Sequence, residues 1–91
     1  MGDLNIKIER ADKGLIILRL SGELEGYAAL DKKAELLGYV NDMSAGTLMM
    51  DFAGIEYIDS AALGILLEMS KTADKKHFKF GLIHVDRKSV V

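Results

Sequence analysis

One pattern occurs twice in this chain and limits what it can fold into: a short apolar run followed, after a few polar residues, by a longer segment with helical spacing. Residues 15–20 (LIILRL) precede the segment 27–40, and residues 47–52 (TLMMDF) precede the segment from 60 to about 75. The two short runs predict strands buried on both faces. Apolar residues three and four positions apart predict amphipathic helices. Strands that alternate with helices predict right-handed crossovers and a partly parallel sheet.

The apolar positions of each predicted helix define the face expected to lie on the sheet. In the first helix these are Leu30, Ala34 and Leu37, with Ala29, Leu36 and Val40 beside them. In the second helix they are Leu63, Leu66, Leu67 and Ser70, widened by Ala62, Ile65 and Met69.

The flanking segments complete the predicted sheet. Residues 4–9 alternate between apolar and polar side chains, and residues 11–14 form a turn that ends in glycine, so a hairpin is expected. Residues 78–85 read as a further strand in which Gly81 marks a bulge or a close approach. The prediction is one α/β domain over residues 1–91, with a mixed sheet of about four strands and helices packed on one face.

Residues 86–91 end where another helix would begin. We therefore expect the C-terminal helix to be missing or truncated, and a second copy to cover the open sheet face.

Composition excludes several classes of function. Twelve basic and 14 acidic side chains leave a net charge of −2, which argues against a nucleic-acid binder. The chain has no cysteine for disulfides or thiolate metal sites, and its two histidines form no recognisable metal site. It has neither a glycine-rich phosphate loop nor an apolar run approaching the roughly 20 residues of a membrane span. We therefore expect a cytoplasmic protein with no cofactor, no metal and no membrane insertion.

Ser60 stands where the apolar strand segment gives way to the second helix, directly after Asp59. Serine and aspartate are preferred caps of helix N-termini because a side-chain oxygen accepts from free backbone N–H groups. A capping box would need glutamate or glutamine three residues on, where Ala62 and Leu63 stand. The simplest interpretation is a plain cap made by Asp59 or by Ser60.

The same position also suits a covalent switch. A serine at a helix N-terminus exposes its hydroxyl where the helix dipole favours negative charge. Phosphorylation of Ser60 would add a charge of about −1.5 to −2 beside Asp59. A partner that fits the bare hydroxyl would then meet added bulk and like charge, while the fold stays intact.

Two separated motifs resemble the STAS domain family, and within it the bacterial anti-sigma factor antagonists. The segment DFAGIEYIDSAALGILLEM (51–69) is similar to the family signature, and RLSGELEGYAALDKKAELL (19–37) is similar to its second strand, Gly-Glu-Leu turn and first helix. The similarity extends from about residue 6 to residue 85. The positions of the signature that match are Asp51, Phe52, Ile55, Ile58, Asp59, Ser60, Leu63, Gly64 and Leu67.

This resemblance implies partners and a site. In the family, the serine aligned with Ser60 is phosphorylated by a cognate anti-sigma factor, a serine kinase with a GHKL-type ATP site. The unphosphorylated antagonist binds that factor and frees the sigma factor, and a PP2C-type phosphatase reverses the modification. The residues expected to contact the partner are Gly22, Glu23, Leu24, Glu25, Asp59, Ala61, Ala62 and Gly64. Ala61 and Ala62 stand where the family often has serine or alanine and then glycine, and Glu25 stands where it more often has aspartate.

Two other functions compete with the switch. A STAS domain also serves as a scaffold in a stressosome or as a regulatory subunit of a lipid-transport ABC complex, although the serine at position 60 favours the antagonist. A hydrolase would need Ser60, His84 and Asp51 as a triad, and the glycines that flank a nucleophile turn are absent. We expect the chain not to be an enzyme.

Overall fold

A five-stranded sheet and two α-helices form the part of the chain that the computed structural model describes, residues 4–24, 26–85 and 89–90. The strands are β1 (Leu4–Arg10), β2 (Leu15–Leu24), β3 (Thr47–Ile58), β4 (Lys79–Ile83) and β5 (Ser89–Val90). The helices are α1 (Gly26–Asp42) and α2 (Ser60–Lys76), and a single 3-10 turn (Asp12–Gly14) lies between β1 and β2. Neither α-helix is long and apolar enough to cross a membrane.

The sheet is mixed, with the strand order β1-β2-β3-β4. The hairpin strands β1 and β2 are antiparallel, whereas β2, β3 and β4 are parallel and are joined through α1 and α2. Both crossovers step in the same direction across the sheet, so the right-handed rule places both helices on the same face. The predicted α/β fold, a mixed sheet with helices on one face, is confirmed.

Because the helices cover one face, burial alternates along the strands. Leu48, Met50 and Phe52 of β3 are fully buried, while Met49 between them is only half-buried. In β2, Leu18 is buried and Arg19 is exposed. The expectation that these strands are buried on both faces is therefore wrong, since no described element lies over the second face.

The helices bury only part of the faces predicted from the sequence. The core residues of α1 are Ala29, Leu36 and Val40, and those of α2 are Ala62, Ile65, Leu66, Met69 and Ala73. Leu30 is 61% exposed, Leu63 43% and Leu67 57%. Each helix carries apolar residues over a wider arc than one sheet contact can cover, so the spacing predicts a helix without selecting the residues that it buries.

Both central strands are longer than the sequence pattern predicts. β2 continues to Leu24 and β3 to Ile58, and these two residues are partners in the parallel ladder. The pairing passes two register shifts, one between Arg19 and Ser21 and one between Gly22 and Glu23. Irregular pairing with several glycines conceals a strand from period-two patterns. As a consequence β2 and β3 end side by side, and α1 and α2 begin next to each other.

The described C-terminal residues form a short strand that the sequence analysis did not predict. The sequence suggested that another helix would begin near these residues. In the structure, Ser89–Val90 pair as a strand with Tyr57 and Ile58 of β3. Residues 86–88 and 91 lie outside the described residues. Gly81 lies in regular pairing opposite Met49, where a Cβ would come within 3.0 Å of the Met49 sulfur, so the glycine marks a close approach rather than a bulge.

Candidate functional site

Ser60 is the first residue of α2, and its side chain is exposed. The cap is Asp59, which has extended backbone angles and accepts a hydrogen bond at Oδ1 from the Ala62 N–H at 3.0 Å. Of the two residues that sequence considerations allowed as the cap, the structure selects Asp59. The Ser60 hydroxyl is thereby left at the surface, next to the positive end of the helix dipole.

Asp59 has a second contact that sequence inspection missed. Its Oδ2 accepts from the Gly26 N–H at 2.7 Å, and its own N–H donates to the Leu24 carbonyl at 3.3 Å. Gly26 begins α1, so one carboxylate holds the N-termini of both helices. No local pattern indicates this contact, because its partners are 33 positions apart.

The residues predicted to contact a partner differ in accessibility. Ala61 and Gly64 are exposed, and Gly22, Glu23 and Asp59 are half-buried. Leu24 is 1% exposed and Ala62 is fully buried. Including these two was an error: their side chains complete the core between the helices and the sheet. Glu25 lies outside the described residues.

Exposed apolar side chains lie close to Ser60 and were not predicted there. On α2, Leu63 and Leu67 follow Ser60 by three and seven positions, which places all three on one side of the helix. On α1, Tyr27 is 87% exposed and lies one residue after the Gly26 contact to Asp59. The signal in the sequence was the surplus of apolar residues, which exceeds what one helix face can bury.

A second polar cluster crosses the sheet face opposite the helices. The buried Asp51 carboxylate lies 2.6 Å from Arg19 Nη1 and 2.7 Å from His84 Nδ1, and accepts from the Ala53 N–H at 2.9 Å. Arg19 Nε also contacts Glu9 at 3.2 Å. The hydrogen bond from His84, followed by that from Ala53, holds the pKa of Asp51 below its ordinary value, although burial acts in the opposite direction.

This cluster does not form the triad considered from sequence. Asp51 and His84 are in contact, but β3 continues for seven residues beyond Asp51, so Ser60 lies roughly 20 Å away. Within the described ranges, no group of three or more carboxylate or imidazole side chains is arranged to hold a metal ion.

The lowered pKa predicts how stability depends on acid. A carboxyl whose pKa is lower in the folded state stabilises the fold above its unfolded pKa, near 3.9, and this contribution is lost as the pH falls through the folded value. We expect wild type to exceed Asp51→Asn in free energy of unfolding at pH 5, and this difference to shrink at about pH 2.5. Urea denaturation at both pH values measures it, with Asp31→Asn on the surface of α1 as the control. An equal difference at both pH values would contradict the prediction.

Comparison with known proteins connects this geometry to a family. A family model described as "Mlab, STAS domain" matches residues 9–89. An anti-sigma factor antagonist from Mycobacterium paratuberculosis has a TM-score of 0.71 and 24% identity, with 88% of this chain and 66% of that chain covered. An antisigma-factor antagonist STAS domain from Rhodobacter sphaeroides has a TM-score of 0.72 and 11% identity, covering 94% and 91%. The phosphorylated form of SpoIIAA from Bacillus has a TM-score of 0.65 and 17% identity, covering 87% and 70%.

The structural matches show the fold, and the chain spans about two thirds of the length of the mycobacterial antagonist. The family model accounts for most of the chain, including both motifs quoted above. The resemblance predicted from those motifs is thus confirmed: the chain belongs to the STAS domain family.

Proposed function

We propose that this chain is a regulatory binding protein switched by phosphorylation of Ser60. In the unphosphorylated form it binds an anti-sigma factor that is a GHKL-type serine kinase, and so releases the sigma factor. The observation that carries the proposal is the exposed Ser60 hydroxyl at the start of α2, directly after a cap supplied by its neighbour Asp59. The chain has no catalytic activity of its own in this scheme, and it acts in the cytoplasm.

The geometry favours a switch that changes a surface and leaves the fold in place. A phosphate on Ser60 projects into solvent, so no core residue has to move. Its charge is favoured by the N-terminus of α2 and adds to that of Asp59 and of the exposed Glu56 nearby in the chain. SpoIIAA, whose phosphorylated form has this fold, provides a precedent for a phosphate on such a domain.

The proposed contact surface combines the two helix starts. Ala61 and Gly64 lie beside Ser60, and Gly22 and Glu23 lie on the strand that leads to α1. The exposed apolar side chains near them supply the area that a partner would bury: Tyr27, Leu30, Leu63 and Leu67. A Cβ built at Gly64 would meet no described atom within 4 Å, so packing inside this chain does not demand glycine there.

Two further partners belong to the same proposal. A PP2C-type phosphatase returns the protein to its binding form. A second copy covers the sheet face opposite the helices, where Ile17, Met49 and Ile83 are only half-buried. Sedimentation at several concentrations measures that association, and a monomer throughout would rule it out.

Phosphate mapping tests the central proposal. The purified chain is incubated with ATP and the anti-sigma factor kinase encoded nearest to its gene, and the modified residue is identified by mass spectrometry. We expect phosphate on Ser60 in wild type and none in Ser60→Ala. Ser70→Ala is the matched control, because Ser70 is an exposed serine on the same helix. Phosphate that is absent or confined to another residue would contradict the proposal.

A second candidate is a STAS scaffold of a stressosome or a regulatory subunit of a lipid-transport ABC complex. The description of the matching family model, "Mlab, STAS domain", does not name anti-sigma factor antagonism, and this supports the second candidate. A pull-down with the bare and the phosphorylated protein separates the two. Capture of an ABC ATPase instead of a kinase would favour the second candidate.

A further inference from the structure

β4 and β5 lie on one line along β3. Asp51 pairs with Ile83 and Tyr57 pairs with Ser89, so both pairs join residues 32 positions apart, 51 to 83 and 57 to 89. The chain therefore returns to β3 in the register that it had before the interruption.

His84 is the first residue after β4. Its φ of 60° is left-handed, a conformation that carries a cost for a side chain other than glycine. Its Nδ1 lies 2.7 Å from Asp51 Oδ1 while the imidazole remains 61% exposed. The unfavourable backbone turn is compensated by a hydrogen bond to a carboxylate, the stronger class of side-chain hydrogen bond.

The acceptor of this bond is held firmly. Asp51 is 8% exposed at its side chain, and its two oxygens also accept from Arg19 and from the Ala53 N–H. Arg19 is in turn held by Glu9. The described charged groups in this network thus come from β1, β2 and β3.

β5, the strand that follows His84, lies beside the residues that directly precede Ser60. β5 pairs with Tyr57 and Ile58, and Asp59 comes next, with the carboxylate that holds both helices. A strand docked at this point restrains the backbone that presents Ser60.

We propose that the contact between Asp51 and His84, here named the histidine clasp, keeps the C-terminal strand on β3 and thereby keeps the Ser60 site ordered for its partner. Opening the clasp frees β5 and loosens the end of β3. The statement about the partner rests on the proposed function above, whereas the statement about β5 does not.

Backbone amide exchange of the full chain, followed by NMR, tests the clasp. His84→Gly removes the imidazole and suits a positive φ. We expect the amides of Tyr57, Ile58, Ser89 and Val90 to exchange about tenfold faster or more. His84→Asn, which also tolerates this φ without the freedom of glycine, is expected to behave alike.

His77→Gly is the matched control, because His77 has a φ of 63° and is exposed at the opposite end of α2. This variant is expected to leave the exchange rates of those four amides unchanged. Unchanged exchange in both His84 variants overturns the clasp, and so does equal acceleration in His77→Gly.

Binding to the anti-sigma factor is measured separately. We expect His84→Gly to bind about threefold to tenfold more weakly, because the site must then be ordered on binding. Faster exchange with unchanged affinity overturns the link to the partner. If wild type binds no anti-sigma factor, the proposed function fails, while the exchange result still decides whether the clasp exists.

Discussion

Ser60→Asp is expected to weaken binding to the anti-sigma factor by about 100-fold, whereas Ser60→Ala is expected to bind as wild type does. Ser60 is exposed at the start of α2, between the proposed contact residues of the two helices. A carboxylate there lies beside Asp59 and would have to lose water when the partner docks, without a counter-charge. Removing the hydroxyl adds neither bulk nor charge. Isothermal titration of the purified proteins measures both affinities.

Ser70→Asp is the control for a charge placed on the same helix. Ser70 is also exposed and lies ten positions after Ser60 on the helix, about 15 Å along the axis. Its binding should match wild type. Protein phosphorylated at Ser60 should bind more weakly than Ser60→Asp, because a phosphate carries more charge than a carboxylate. Equal binding by Ser60→Asp and Ser60→Ala would mean that charge at position 60 does not regulate binding of the partner.

Asp59→Ala is expected to reduce the free energy of unfolding by about 2 to 3 kcal/mol and to weaken partner binding as well. The substitution removes the cap on the Ala62 N–H and leaves the Gly26 N–H without its acceptor. Those two donors belong to α2 and α1, so the loss also frees the helix starts to move relative to each other. Urea denaturation measures the stability.

Asp59→Ser separates the two functions of this side chain. Serine caps a helix well, but its shorter side chain is expected to keep the bond to Ala62 and lose the bond to Gly26. We expect its stability to lie between wild type and Asp59→Ala, with partner binding reduced as in Asp59→Ala. If Asp59→Ser binds the partner as wild type does, the link between the helices is not needed for recognition.

The sequence alone predicted both helices and four of the five described strands, and it indicated Ser60 as the candidate switch residue. Strand and helix periods arise from neighbours a few positions apart, so both helices, the β1–β2 hairpin and the mixed sheet could be predicted from them. The same local chemistry indicated a cap at Asp59 or Ser60, and the two motifs indicated the family.

Tertiary structure decided which side chains reach the surface and which carboxylates join distant segments. Leu63 and Leu67 became surface residues, and Leu24 and Ala62 became core, because docking on the sheet selects one arc of a broadly apolar helix. Asp59 bonds Gly26 and Asp51 bonds His84 across 33 positions each, and such contacts exist only after the strands have paired. A local sequence pattern cannot indicate a partner that only folding brings close. For this reason the contact of Asp59 with Gly26 and that of Asp51 with His84 were visible only in the three-dimensional structure.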